Sequence, residues 1–337
     1  MGHDDRFDDL IASLGGFHRS WLIYLGIDLG LFARIRTAGE GGITPDALAN
    51  ETGTKREAVA AWSWATDAHD LTTFEDGRLT IDDDVAEILL DDQRAEFLGG
   101  QFVHAVVASM DWGGMEDFFR TGQPIRDRPD RYRAAIERLT RQDIAVFFQE
   151  VLAALPQLVA ELSQGGRVVD IHCGGGRWLV AMARRFPALE LIGVEFEADS
   201  VARARATIES EGLSDRIEIR QAKATDPGHV GDYDLAYLQY ALHQLDDAPR
   251  VLAAAWAALR PGGRLLVLDW PLPSGPEEFR TRHGEIIAGV QLDELYQGTA
   301  LATRDQFLAW FADGGVPAPV TIDLPSGAAV FIAEQPA

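Results

Sequence analysis

The stretch "VVDIHCGGGRWLVAMARRFP" (residues 168–187) decides the reading of this chain. Val168, Val169 and Ile171 make a short β-branched run around Asp170, as in a buried strand. Three glycines follow, and then a segment with helical apolar spacing begins. Strand, glycine turn and helix form the layout of a nucleotide-binding crossover. The dinucleotide spacing G-x-G-x-x-G has no register here. The spacing acid-x-G-x-G-x-G fits at Asp170, Gly174 and Gly176 and fails at one position, where the bulky, ionisable His172 stands.

Downstream, "ALELIGVEF" (188–196), "RIEIRQA" (216–222), "YDLAYLQY" (233–240) and "GRLLVLDW" (263–270) are further strand candidates, separated by helical stretches. The alternation predicts an α/β domain with a doubly wound, mainly parallel sheet over 165–337. The tail "VPAPVTIDLPSGAAVFIAEQ" (316–335) reads as a hairpin turning at Ser326-Gly327. In such a sheet the ligand crevice lies beyond the carboxyl ends of the strands, so the residues just after each strand are the candidates for chemistry.

After the second of these strands stands Glu195, whose carboxylate suits the hydroxyls of a ribose. After the fourth comes His243, expected at an exposed strand-to-helix turn where a near-neutral pKa suits proton abstraction. Asp269 closes the fifth strand and is expected to fix the tautomer of His243. Asp246 and Asp247 are placed to cap the next helix.

Residues 1–95 predict helices followed by a hairpin. "LIYLGIDLGLFARI" (22–35) reads as one amphipathic helix. "ITPDALANETGT" (43–54) offers Thr44 as N-cap, Pro45 at the first helical position and Gly53 as the stop. "KREAVAAWSWATDAHDL" (55–71) reads as a further helix, and "TTFEDGRLTI" (72–81) as two strands about Asp76-Gly77. This is the order of a winged helix. Its third helix carries only Lys55 and Arg56 as cations, and "IDDDVAEILLDD" (81–92) follows the wing, so the region is expected to pack or dimerise rather than bind DNA. Residues 96–164 read as a helical linker and substrate lid, dense in aromatics such as Trp112, Phe118, Phe119, Phe147 and Phe148.

A net charge of -23 sets up a field that repels phosphate backbones and anionic lipid, which disfavours nucleic-acid and membrane partners. No apolar run approaches the ~20 residues that span a bilayer. "MGHDDRFDDL" (1–10) lacks the apolar core of a secretion signal, and the single Cys173 forbids an internal disulfide, so a cytoplasmic location is expected. The eight histidines are scattered without metal-ligand spacing, and no metal is expected.

From about residue 20 to 334 the chain resembles the small-molecule O-methyltransferases that join a winged-helix dimerisation domain to a class I methyltransferase, Rossmann-like domain binding S-adenosyl-L-methionine (SAM). The residues that carry the resemblance are "VVDIHCGGGRW" (168–178), "LIGVEFEADSVARARA" (191–206), "YDLAYLQYALHQLDD" (233–247), "LRPGGRLLVLDWPLP" (259–273) and "ATRDQFLAWFADGGV" (302–316). It implies a homodimeric enzyme of natural-product biosynthesis. His243 would deprotonate the acceptor hydroxyl of an apolar or aromatic substrate and Asp269 would orient it. Asp170, His172, Gly174, Gly176, Glu195, Lys223 and Gln239 occupy the positions that hold the cofactor.

Four positions depart from that family: His172 replaces a glycine, Lys223 an acid that accepts the adenine amino group, Gln239 a lysine or arginine, and Leu301 a second acid beside the histidine. They leave three readings of His172 open: tolerated in a working SAM site, active on the substrate or the cofactor carboxylate as a catalytic group, or part of a site that binds SAM in an altered mode or has lost it. The function stands accordingly as methyl transfer, or alternatively as a non-methylating rearrangement, elimination or cyclisation on the same scaffold, with a non-catalytic binding or regulatory protein as the third possibility.

Overall fold

The computed structural model describes residues 2–125, 127–228 and 230–337. Met1, Arg126 and His229, the last among the eight histidines counted above, lie outside the described residues. The chain divides into two compact units, Met1–Gly114 with Asp127–Val146 and Met115–Arg126 with Phe147–Ala337. The stretch 96–164, read above as a separate linker and lid, is shared between them.

The first unit holds α1 (His3–Asp28), α2 (Leu31–Ala38), α3 (Pro45–Thr52), α4 (Arg56–Ala68), the strands β1 (Thr73–Glu75) and β2 (Arg78–Thr80), α5 (Asp83–Leu90) and α6 (Gly99–Ser109). After α7 (Met115–Thr121), which belongs to the second unit, it regains the chain at α8 (Asp130–Val146). The run 22–35 is not one helix. Gly30 sits at φ 70°, and this left-handed residue ends α1 and opens α2.

Local chemistry sets the next elements. The Thr44 side chain accepts from the Ala47 N–H at 3.2 Å, Pro45 fills the first turn and Gly53 ends α3 at φ 65°. Asp76 and Gly77 both have positive φ, the geometry of a two-residue hairpin turn between β1 and β2. The core gathers Ile23, Phe32, Ile35, Leu48, Trp62 and Leu79. Along α1, by contrast, Phe7, Leu10, Ile11, Leu14 and Phe17 recur at helical spacing and are all more than half exposed.

The second unit begins with a π-helical turn (Phe147–Val151), α9 (Leu152–Ala154) and α10 (Pro156–Gln164). The alternating region follows as β3 (Gly166–Ile171), α11 (Arg177–Arg185), β4 (Leu189–Glu195), α12 (Ala198–Ser210), β5 (Ile217–Gln221), β6 (Tyr233–Gln239), α13 (Ala248–Ala258), β7 (Leu259–Asp269), α14 (Pro276–Phe279), α15 (Arg282–Gln297), α16 (Arg304–Asp313), β8 (Val320–Asp323) and β9 (Ala329–Glu334). The sheet order is β5-β4-β3-β6-β7-β9-β8, parallel except for the β9 and β8 pairings. Strand order reverses beside β3, so the carboxyl ends of β3, β4 and β6 frame the crevice.

Val168, Val169 and Ile171 are fully buried, each contributing roughly 1.5–3 kcal/mol of apolar burial. Phe147 lies in this core, against Trp178 and Tyr237, so it packs the interior rather than covering a pocket. Among the described residues no single helix is long and apolar enough to cross a membrane.

Candidate functional site

The parallel register pairs Ile171 with Val194, which carries the chain after β3 directly past the end of β4. There the N–H groups of His172 and Cys173 both donate to the Val194 carbonyl, at 2.8 and 3.1 Å. Gly193 makes this approach possible, because a Cβ on it would stand 2.7 Å from the Cys173 sulfur. The turn closes with the Gly176 N–H donating to the Cys173 carbonyl at 2.9 Å. Gly174 and Gly176 adopt φ 52° and 72°, and a Cβ on Gly174 or Gly175 would meet nothing within 4 Å, so the outer side of the turn is open. On Gly176 a Cβ would lie 3.2 Å from Ala204, and its absence lets α12 approach.

His172 adopts φ 67°, a left-handed conformation that costs a non-glycine residue about 1–2 kcal/mol. Its Nδ1 lies 3.6 Å from Glu195 Oε2. The Glu195 carboxylate is 2% exposed. Its Oε1 accepts from the Phe196 and Glu197 N–H groups at 2.8 and 2.9 Å, and its Oε2 accepts from the Gly174 N–H at 2.9 Å. Asp170, buried at the end of β3, is pushed up to about 8 by burial and by the charge of Glu195, so its carboxyl holds a proton near neutrality. Burial likewise pushes the Cys173 thiol far up, with Asp170 and Glu195 adding to it, which removes it as a nucleophile.

At the end of β6 the chain makes a short 3₁₀ turn, Leu242–Gln244, and His243 Nδ1 meets both oxygens of Asp269 at 2.9 and 3.0 Å. The expectation of an exposed His243 needs correction. Its side chain is 5% exposed and that of Asp269 is fully buried, because the ring turns inward onto a carboxylate that closes the adjacent strand β7. A carboxylate only accepts, so Nδ1 carries the proton and Nε2 is left as an acceptor. Burial alone would push the imidazole down, but Asp269, through charge and hydrogen bond, and Glu294, through charge, outweigh it and hold the pKa above its ordinary value. Asp247 caps α13, its side chain accepting from the Arg250 N–H at 3.2 Å.

Glu294 on α15 escaped the sequence reading. Burial raises its carboxyl, opposed by the Thr299 hydroxyl bond and by the charge of His243. Leu301, where a second acid was sought, is buried, and its N–H donates to Gln291 Oε1 at 2.7 Å. The acid near His243 therefore comes from a helix rather than from the segment before α16. No strand-end position or spacing in the sequence marked it. Of the remaining positions, Gln239 accepts from the Tyr237 hydroxyl at 2.8 Å, and Lys223 Nζ stands 6.0 Å from the centroid of Phe196, which is 55% exposed beside Glu195. Lys223 follows β5, the strand adjacent to β4. The structure thus gathers Asp170, His172, Gly174, Gly176 and Glu195 at one turn and His243, Asp269 and Glu294 at another, with Lys223 and Gln239 at the ends of β5 and β6.

Residues 168–263 match the model of a methyltransferase domain family. The chain is 30% identical over 117 residues, 34% of its own length, to the demethylmenaquinone methyltransferase of Lactiplantibacillus plantarum (strain ATCC BAA-793 / NCIMB 8826 / WCFS1), and spans 49% of that protein. It spans about half the length of this curated relative. Among solved structures, that of PigF with SAH, the demethylated product of SAM, superposes with a TM-score of 0.76 at 19% identity, covering 97% of this chain and 99% of that one. The mitomycin 7-O-methyltransferase MmcR gives 0.70 at 21% identity, with 98% of each chain covered. Residues 168–263 thus match a methyltransferase domain, and over nearly its whole length the chain shares the fold of these two solved structures.

Proposed function

We propose that this protein is a SAM-dependent methyltransferase acting on a hydroxyl, or a similar nucleophile, of an apolar or aromatic small molecule. The observation that carries the reading is the buried His243–Asp269 pair at the end of adjacent parallel strands, in the same sheet whose glycine turn and Glu195 fit a nucleoside. The residues present suit SAM. The turn is open at Gly174 and Gly175, a buried carboxylate ends β4, and an exposed aromatic, Phe196, follows it as a surface for a purine ring. Glu195, Gly174, Gly176 and Asp170 would hold the cofactor, with Lys223 and Gln239 at its margins. When bound, SAM supplies an electrophilic methyl group on a sulfonium.

The chain supplies the base. With Nδ1 tied to Asp269, Nε2 of His243 would take the proton of the acceptor hydroxyl. Alignment of the acceptor with the methyl group provides most of the remaining acceleration. A natural-product substrate, as for the mitomycin enzyme above, and a cytoplasmic setting that keeps the one thiol reduced belong to the same reading.

The experiment is calorimetric titration with SAM and SAH. Micromolar binding of both is expected, and silence at millimolar concentration would sink the reading. It would leave a non-methylating reaction on the same pocket, to which His172 and Lys223 point, or a non-catalytic binding or regulatory protein. A homodimer through the first unit is also part of the proposal, since the apolar stripe of α1 is long, regular and uncovered. Sedimentation should give a dimer, and L10E with L14E together a monomer; an unchanged dimer would place the interface elsewhere.

A further inference from the structure

We propose that His172 occupies the ribose position of the cofactor site, so that cofactor binding is an exchange of its imidazole for the ribose diol on Glu195. The inference rests on the proposed SAM-binding role and concerns how this chain carries it out.

A carboxylate offers about four acceptor positions. On Glu195 three are taken by backbone N–H groups, those of Phe196, Glu197 and Gly174, at 2.8 to 2.9 Å. These donors are fixed by the fold: two begin the segment after β4 and the third belongs to the glycine turn. The group at the remaining position is the His172 ring, with Nδ1 3.6 Å from Oε2. Unlike those amides, the ring can leave by rotating a side chain, and at 34% side-chain exposure it has solvent to rotate into. A diol that reaches Glu195 therefore displaces His172, because displacing an amide would unmake the turn.

The backbone supports this. His172 holds a left-handed φ of 67° that a glycine adopts without strain, and the ring emerges from that strained position beside the carboxylate of the neighbouring strand. This assignment gives the ring no part in the chemical step.

The other titratable or charged groups facing or flanking this turn are Glu195 at the end of β4, Asp170 and Cys173 on β3 and its turn, Arg177 at the start of α11, and Glu197 and Asp199 before and within the first turn of α12. All of them remain in a variant at position 172, so the difference between wild type and variant isolates the imidazole.

The test is SAH binding by calorimetry for the wild type, H172G and H172N. Glycine and asparagine both accept positive φ, so folding is preserved. Both variants should bind SAH more tightly than the wild type, by about tenfold or less, since one polar side chain no longer has to be displaced. A wild type that does not bind beside variants that do would support the same exchange at its extreme. Equal affinities in all three proteins would overturn the inference and leave SAM binding intact. Silence from all three at millimolar SAH would instead overturn the SAM reading itself, and this inference with it.

Discussion

The turns after β3 and β6 end buried parallel strands of one sheet, and each holds a non-glycine residue in the left-handed region, His172 at φ 67° and Tyr240 at φ 48°. Each also brings a histidine to a buried carboxylate, and there the likeness stops. Asp269 gives both oxygens to His243 and takes one backbone N–H, from Trp270, while its imidazole is 5% exposed. Glu195 is nearly saturated by amides, and its imidazole stands at 3.6 Å with 34% exposure. The first arrangement orients a ring and tunes it. The second occupies a place. A histidine beside a carboxylate becomes a candidate base where the carboxylate's lone pairs are committed to it and its second nitrogen is free.

The largest effect that tests this contrast is on turnover. H243A should lower kcat by about 10²- to 10⁴-fold, the usual contribution of a positioned base, while SAH affinity stays within about twofold. H172G should leave the chemical step near its wild-type rate. If the two variants instead lost kcat alike, the division of labour between the turns would be wrong.

A smaller effect sharpens the same comparison through pH. The base must be neutral to accept a proton, and the Asp269 and Glu294 charges raise the His243 pKa against burial. The acid limb of kcat should therefore lie above the ordinary imidazole value of about 6.5, with the rate rising as pH increases through it. D269N removes the larger of the two raising charges, so the limb should move to lower pH, with a loss of kcat below that of H243A. E294Q should move it the same way by less. A limb that stayed in place in D269N would mean that it reports another group, of which Asp170, at about 8, is the nearest to that range.

How much of this was legible in the sequence follows from the range of the interactions. The cap at Thr44, the stop at Gly53 and the hairpin at Asp76-Gly77 are local chemistry and could be read directly. So could the strands of the parallel sheet, whose β-branched runs are short and bounded by turns. Gly30 was passed over, because one glycine in a helical apolar pattern is tolerated as often as it breaks the helix.

His243 and Asp269 could be placed in one crevice because each directly follows or closes a strand, but their mutual burial depends on packing that no short stretch encodes. Glu294 was invisible for a related reason. It lies late in α15, 51 residues after His243 in sequence, and meets it only through the folded chain. Position 172 could be flagged as unusual, yet its partner emerged only from the β3–β4 register.

The smallest expected effect lies at the edge of the cofactor turn. Lys223 can only donate, and it stands 6.0 Å from the centroid of an exposed ring, Phe196, in a place screened by solvent. Replacing it gains or loses one hydrogen bond to a purine, worth roughly 0.5–1.5 kcal/mol, so K223A or K223D should change SAH affinity by about tenfold or less. K223D is expected to tighten binding, because an acid can accept from the exocyclic amino group that a lysine cannot. The measurement is informative in combination with position 172. If His172 blocks the ribose and Lys223 only borders the base, the two substitutions touch different partners, and the affinities of the single and H172G/K223D variants should combine additively within about 0.5 kcal/mol. Strong coupling would mean that the imidazole and the amine hold one shared arrangement of the turn, and the contrast between an occupied cofactor turn and an oriented catalytic turn would then have to include the loop after β5.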